Sequence, residues 1–230
     1  MDGFLDFIYQ NQFLVILLSI GLGLFSNLLV KGNFEKYSKV AGNVSLTGTE
    51  VAKKIMHANG VYDVEIEITD NFLGDHYDPR NKVVRLSPGV ANSNSIASQA
   101  IAAHEVGHVL QYAQGSKLIA IRNAFLPLAQ LGSKGVWVAI ILGIFFQMTG
   151  LIYLGILAFM GILLFQVATL PVEFDASSRA MKQLNDLSIV SLDNQEGVKK
   201  VLSSAALTYV VAVVASILTI LRLLSIARRR

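Results

Sequence analysis

Four long apolar runs constrain this chain more than any other feature. Residues 13–30 and 150–170 pass 18 and 21 positions without a charge; 131–146, interrupted only by Ser133 and Lys134 at its start, and 205–221 are shorter apolar runs. Runs of this length can cross the hydrocarbon of a bilayer as helices, which pair their own backbone groups where no water is available. With 15% charged residues and a mean hydropathy of +0.54, the chain is too apolar for a soluble domain. It is also too charged for a bare bundle of spans, so part of it should stand in water. The expected class is an α-helical membrane protein of about four transmembrane helices with a small α+β part at the membrane surface.

The runs divide the chain into an anchor (1–30), a water-facing α+β part (31–124), a transmembrane hairpin (125–170), a helix and loop (171–204) and a last helix with a basic tail (205–230). The anchor lacks a positive leader and a small-residue cleavage site, so it reads as uncleaved. Asp2 and Asp6 precede its apolar run, 13–30, and Lys31, Lys36 and Lys39 follow. The positive-inside rule then places the N-terminus outside and the next segment in the cytoplasm. Arg222, Arg228, Arg229 and Arg230 would lie outside if the last helix spans. That leaves an interfacial last helix, or an inverted topology, open. Lys134, near the start of the hairpin, can snorkel to the interface.

Within the water-facing part, Thr47 and Glu50 form a capping box for a helix that Gly60 stops. Residues 64–68 alternate as a half-buried strand, and 82–86 read as a second strand, ended by Pro88. Between them, Asp70-Asn71, Gly74-Asp75 and Asp78-Pro79 are turn chemistry. The second strand, just before the next helix, is expected to be an open edge to which an extended peptide could add.

That next helix, 95–113, carries His104-Glu105-Val106-Gly107-His108, which holds two of the four histidines in the chain. Histidines four apart share one helix face, so both imidazoles can reach one metal while Glu105 points to its open position. Ser95 is placed as the N-cap, and Ala97, Ala100 and Ala103 permit close packing. Gly107 costs about 1 kcal/mol relative to Ala inside a helix, which points to a close contact there. With no cysteine in the chain, thiolate ligands, disulfides and cysteine nucleophiles are excluded, and a metal must use His and carboxylate. The net charge of +3 comes without a basic cluster interleaved with aromatics, so no nucleic-acid partner is expected.

Pro171 is expected to end the hairpin and start a new helix bearing Glu173, which the hairpin returns to the side it left. Glu173 is therefore the expected third ligand, leaving one position for water. Asp175 is the fallback ligand or orients a histidine, and Arg179, one turn on, can pair with it. His76 and Tyr77 are read as turn residues tied to Asp75 and Asp78, with an oxyanion contact as the other reading. Together with Tyr209 they are the candidates for that contact. His57, near a helix C-terminus, needs no further role.

Asp75-His76-Tyr77-Asp78-Pro79, Val84-Arg85-Leu86-Ser87, the segment around His104 and His108, Leu170-Pro171-Val172-Glu173-Phe174-Asp175-Ala176-Ser177 and Ala205-Ala206-Leu207-Thr208-Tyr209 together resemble the YugP-like family of membrane zinc metallopeptidases. The likeness covers nearly the whole chain. It implies a neutral peptidase of the bacterial cytoplasmic membrane. A looser similarity is to CAAX-prenyl-protease and heat-shock-protease-X type enzymes, whose later motif is Glu-x-x-x-Asp. Glu173 matches its glutamate, while the aspartate position holds Ser177, a role Asp175 could have taken over.

The expectation is a multi-pass zinc endopeptidase with a zincin-like catalytic part and one Zn²⁺ per chain, held by His104, His108 and Glu173. Glu105 acts as general base towards a peptide or protein substrate at the membrane surface, on the cytoplasmic side. Polar residues around the helix, such as Ser98, Gln99 and Gln111, argue against an intramembrane protease. The rival class is a non-enzymatic zinc-stabilised adaptor or chaperone; a metal transporter would need ionisable residues in mid-span. The small water-facing part leaves room for a regulatory membrane partner or a homo-oligomer.

Overall fold

The computed structural model describes residues 2–71 and 74–229; the side chains of Asp2 and Lys134 are also outside the description, so the snorkelling expected of Lys134 falls there too. The chain is mainly helical: α1 (Asp2–Gln10), α2 (Gln12–Tyr37), α3 (Gly48–Ala58), α4 (Pro88–Ala91), α5 (Ile96–Ala113), α6 (Lys117–Phe145), α7 (Thr149–Asp186) and α8 (Gln195–Arg228). Three short strands complete it: β1 (Glu65–Ile68), β2 (His76–Asp78) and β3 (Val83–Leu86). Among the described residues three helices, α2, α7 and α8, are long and apolar enough to cross a membrane. A fourth span is present if α6, bent by 42° between its halves, counts as one.

The chain forms two compact units. The apolar unit comprises the chain up to Asn27, Ala120–Pro171 and the chain from Leu207. Its core joins Val136 and Ile140 of α6, Ile152, Ile156 and Phe159 of α7, and Leu223 and Ala227 of α8. Close approach here uses glycines: a Cβ on Gly155 would lie within 2.4 Å of the Ile140 side chain, and one on Gly132 2.5 Å from the Ala158 carbonyl. Large apolar side chains such as Phe13, Leu14, Leu18 and Phe145 face outward, as lipid-facing positions do. At one end, Arg229 Nη2 donates to Asp6 Oδ1 at 3.1 Å and its guanidinium lies over the Tyr9 ring.

The other unit, Leu28–Ile119 with Val172–Ala206, is built around α5. Ser95 caps that helix, its hydroxyl accepting from Ser98 N, and Thr47 and Glu50 form the reciprocal capping box of α3. Ala97, Ala100, Ala103, Val106 and Leu110 are buried against Val51 and Ile55 of α3, Val84 and Leu86 of β3, and Ala180 and Leu184 of α7.

Two expectations are corrected here. The strand order is β1-β3-β2, with β1 parallel and β2 antiparallel to β3. The strand before the α5 segment is therefore central, not an open edge, because β2 forms from residues read as turn and covers its flank. The register pairs Tyr77 with Val84, so Tyr77 is committed to the sheet. Pro171, moreover, does not break the helix, since α7 runs through it from Thr149 to Asp186. An interior proline costs one backbone hydrogen bond and a steric clash. That local cost is overridden where the turns after it are held from outside, as Gln111 holds the Val172 carbonyl.

Candidate metal centre

α5 presents His104 and His108 one turn apart, their ring centroids 4.9 Å from each other. α7 brings Glu173 against them: its Oε2 lies 3.4 Å from His104 Nε2 and 3.6 Å from His108 Nε2. The ligand atoms of the three residues all fall within 4.8 Å of one another. Gly107 sets the helix separation, since a Cβ there would lie 2.5 Å from the Ala176 carbonyl oxygen.

Each histidine is braced through its other nitrogen. Gln111, fully buried one turn beyond His108, donates from Nε2 to the Val172 carbonyl and to Asp175 Oδ2, each at 2.8 Å. Its Oε1 is thus the acceptor, taking a hydrogen bond from His108 Nδ1 at 3.0 Å. In the neutral ring that fixes the tautomer with Nε2 free of a proton. Asp175 is held in turn by Arg179 Nε at 2.6 Å, and Arg179 also donates to Gln114. On the other side, His104 Nδ1 lies 3.2 Å from Ser177 Oγ.

These residues fit a divalent cation. Glu173 Oε2 is buried with no hydrogen-bond partner although two imidazole nitrogens face it. An orphaned buried carboxylate oxygen is costly unless a positive charge meets it. Burial alone would raise the Glu173 carboxyl, yet the two histidines outweigh it and hold the group down at about 2. Glu105 is also buried; desolvation pushes its carboxyl up, the histidines offset part of that, and the charges of Asp75 and Glu173 add to the rise. Asp75 is raised by burial as well, although Ser87 donates to it from N at 2.7 Å and from Oγ at 3.1 Å.

The remaining candidates are not members of the three-residue group. His76 is exposed on β2, its Nδ1 2.8 Å from the Gly74 carbonyl and its Nε2 3.5 Å from Arg85 Nη1. It is thus a strand residue whose partners are a carbonyl and a guanidinium, rather than a turn residue tied to Asp75 and Asp78. Tyr77, half-buried on the same strand, meets Tyr112 of α5 edge to face at 5.6 Å. Tyr209 belongs to the apolar unit. Asp175 reaches His108 only through Gln111, and the position that departs from the Glu-x-x-x-Asp pattern, Ser177, itself contacts His104. Sequence reasoning passed over Gln111 and Ser177 as braces. The available signal was spacing: Gln111 is three residues beyond His108, hence on the same helix face.

A family model described as "Putative neutral zinc metallopeptidase" matches residues 12–228. The chain belongs to this family. Within the neutral zinc metallopeptidases, it is 41% identical over 208 residues to the "Putative membrane protease YugP" of Bacillus subtilis (strain 168), covering 90% of this chain and 92% of that protein. No solved structure gives a significant match.

Proposed function

We propose that this family member is a membrane-embedded zinc endopeptidase that hydrolyses peptide bonds of proteins at the membrane surface. The observation that carries the reading is the buried, unpartnered Glu173 oxygen facing two imidazole nitrogens, with buried Glu105 on the same turn of α5. His104, His108 and Glu173 would hold Zn²⁺, which supplies Lewis acidity towards the scissile carbonyl and lowers the pKa of bound water towards about 7. Glu105 takes the proton of the attacking water on its carboxylate and delivers it to the leaving amide nitrogen. Burial favours this, because a carboxyl raised above its ordinary range is the stronger base. Gln111 and Ser177 hold the histidine rings in the orientation the ligands require.

The substrate is read as an extended chain laid along β2. The outer edge of β2 has no strand partner among the described residues, and the strand packs against α5. Beside it a cavity of about 270 Å³, lined by Asp63, Tyr77, Lys82, Val109 and Tyr112 among others, can accept a side chain. Four spans and a cytoplasmic site complete the reading. The ion pair between Asp6 of α1 and Arg229 of α8 supports an even number of crossings, since it puts both ends of the apolar unit on one side. The same pair neutralises part of the arginine tail, which lessens its weight against the lysines that follow α2.

The deciding experiment compares detergent-purified wild type with Glu105→Gln for cleavage of casein and of a membrane-tethered reporter, with bound zinc quantified in both. Zinc in both and cleavage only by wild type is expected. Equal cleavage by the two would sink the role given to Glu105, and zinc in both with cleavage by neither would favour a structural zinc site in an adaptor.

A further inference from the structure

The apolar unit contains a cation that the peptidase reading does not use. Arg222 lies on α8, seven residues before Arg229, so about 10 Å along the helix from the Asp6–Arg229 pair by helix rise. It lines a groove of about 130 Å³ with Thr219 of the same helix and Val15, Ile16, Ser19 and Ile20 of α2. The other described arginines at this end are engaged: Arg229 with Asp6 and Tyr9, and Arg228 as well. The Arg222 side chain has no partner among the described residues; only its backbone carbonyl is used, by Ser225.

An arginine near the end of a span usually escapes by snorkelling to the interface. On α8 that escape runs against the geometry. Side chains on a helix tilt towards its N-terminus, which sends Arg222 back along the span to Thr219, one turn below, and away from the terminal turn. A guanidinium lodged between apolar walls calls for an anion. The hydroxyls of Ser19 and Thr219 already donate to the carbonyls of Val15 at 3.0 Å and Ala215 at 2.8 Å. With those protons spent, what the two side chains can still offer the groove they line is an acceptor oxygen, while the forked donors of Arg222 remain for a phosphate. On the neighbouring face of α2, Leu14, Leu17, Leu18 and Leu22 flank Gly21 in a second, wholly apolar groove, and a Cβ on Gly21 would meet nothing within 4 Å. One groove suits a charged head with hydroxyls, the other a hydrocarbon tail.

We propose that the α2–α8 groove binds an anionic phospholipid with a hydroxylated headgroup, its phosphate on Arg222 and an acyl chain along the leucine groove of α2. This site stands apart from the metal centre and from the peptidase reading. The test is native mass spectrometry of the full-length protein in detergent, titrated separately with phosphatidylglycerol, phosphatidylcholine and inorganic phosphate. Wild type is expected to retain phosphatidylglycerol about tenfold or more tightly than phosphatidylcholine, and Arg222→Gln to lose that preference, as removal of a charge-assisted pair implies. Thr219→Leu, which keeps every charge and fills the groove, should lose it too, and keeps the proposal testable if Arg222→Gln does not fold. Equal retention of the two lipids by wild type would overturn the site, as would undiminished phosphatidylglycerol binding in Thr219→Leu. Retention of inorganic phosphate as tight as that of phosphatidylglycerol, with the same dependence on Arg222, would replace the lipid by a soluble anion.

Discussion

The two histidines of the candidate centre are braced unequally. His104 rests on one hydroxyl, that of Ser177, which is half-buried and can rotate. His108 rests on a buried amide whose other hydrogen bonds are fixed to α7, with Asp175, Arg179 and Gln114 continuing the chain. Ser177 reaches His104 directly from α7, whereas Gln111 braces His108 from within α5 and is itself tied to α7. They differ in how many bonds must fail before the imidazole can turn. The His108 side therefore fixes the geometry, and the His104 side adapts to it.

Removing the common foundation should have the largest effect. Gly107→Ala puts a methyl 2.5 Å from the Ala176 carbonyl oxygen, a backbone atom that cannot swing aside. Overpacking of this kind costs about 1–3 kcal/mol, and because it spreads α5 from α7 both histidines should lose the third ligand. A lowered unfolding temperature together with substoichiometric zinc is the expected outcome; full zinc occupancy would show that the helices can separate without harm. Gln111→Leu attacks only the His108 side. Loss of such a brace typically costs about 10–100-fold in metal affinity, to be read by competition with a chromophoric chelator.

Ser177→Ala attacks the other side and should cost less, under about tenfold, because water can replace the half-buried Ser177 hydroxyl more readily than the fully buried Gln111 amide. If the two variants weaken zinc binding equally, the asymmetry is wrong. A smaller effect should appear in protein stripped of metal. Burial alone would lower His108, but the Glu173 carboxylate facing its Nε2 and the charge of Glu105 raise it above its ordinary 6.5. A raised group stabilises the fold fully below 6.5, and that contribution is lost as pH rises through the folded value. Glu105, raised by burial from 4.5, acts in the same sense. Metal-free protein should therefore unfold a few degrees lower as pH rises from 6 to 9, with a flatter slope in Gln111→Leu. A rising unfolding temperature across that range would contradict the His108 assignment.

Much of the site's frame was legible because it rests on local signals. Ser95 and the Thr47–Glu50 box act within a turn of themselves, while Gly107 and the alanines of α5 signal close packing by their size alone, without naming the partner; each appears where its chemistry puts it. The sheet order was not legible, because the pairing of His76 with Arg85 depends on non-local register, and three residues of strand look like turn when read alone. Pro171 misled for the converse reason: its local rule is sound, but packing and the Gln111 bond outweigh it. Gln111 itself counted only as one more polar residue around the helix, since nothing local distinguishes a buried, fully satisfied amide from an exposed one. The Asp6–Arg229 pair joins residues 223 positions apart, beyond any pattern a window along the chain can hold.

Neither group that touches an imidazole Nδ1 carries a charge: one is a hydroxyl and the other an amide. Around a dication, Glu173 would then be the single formal negative ligand, leaving a net surplus of one positive charge on the ligand set. The nearest carboxylate able to offset it within the same buried turn is Glu105, the group assigned to carry the proton. Charge neutrality of the resting centre and readiness to accept a proton would thus depend on the same side chain, so neutralising Glu105 should loosen the site's hold on its ion without emptying it, as well as stop turnover.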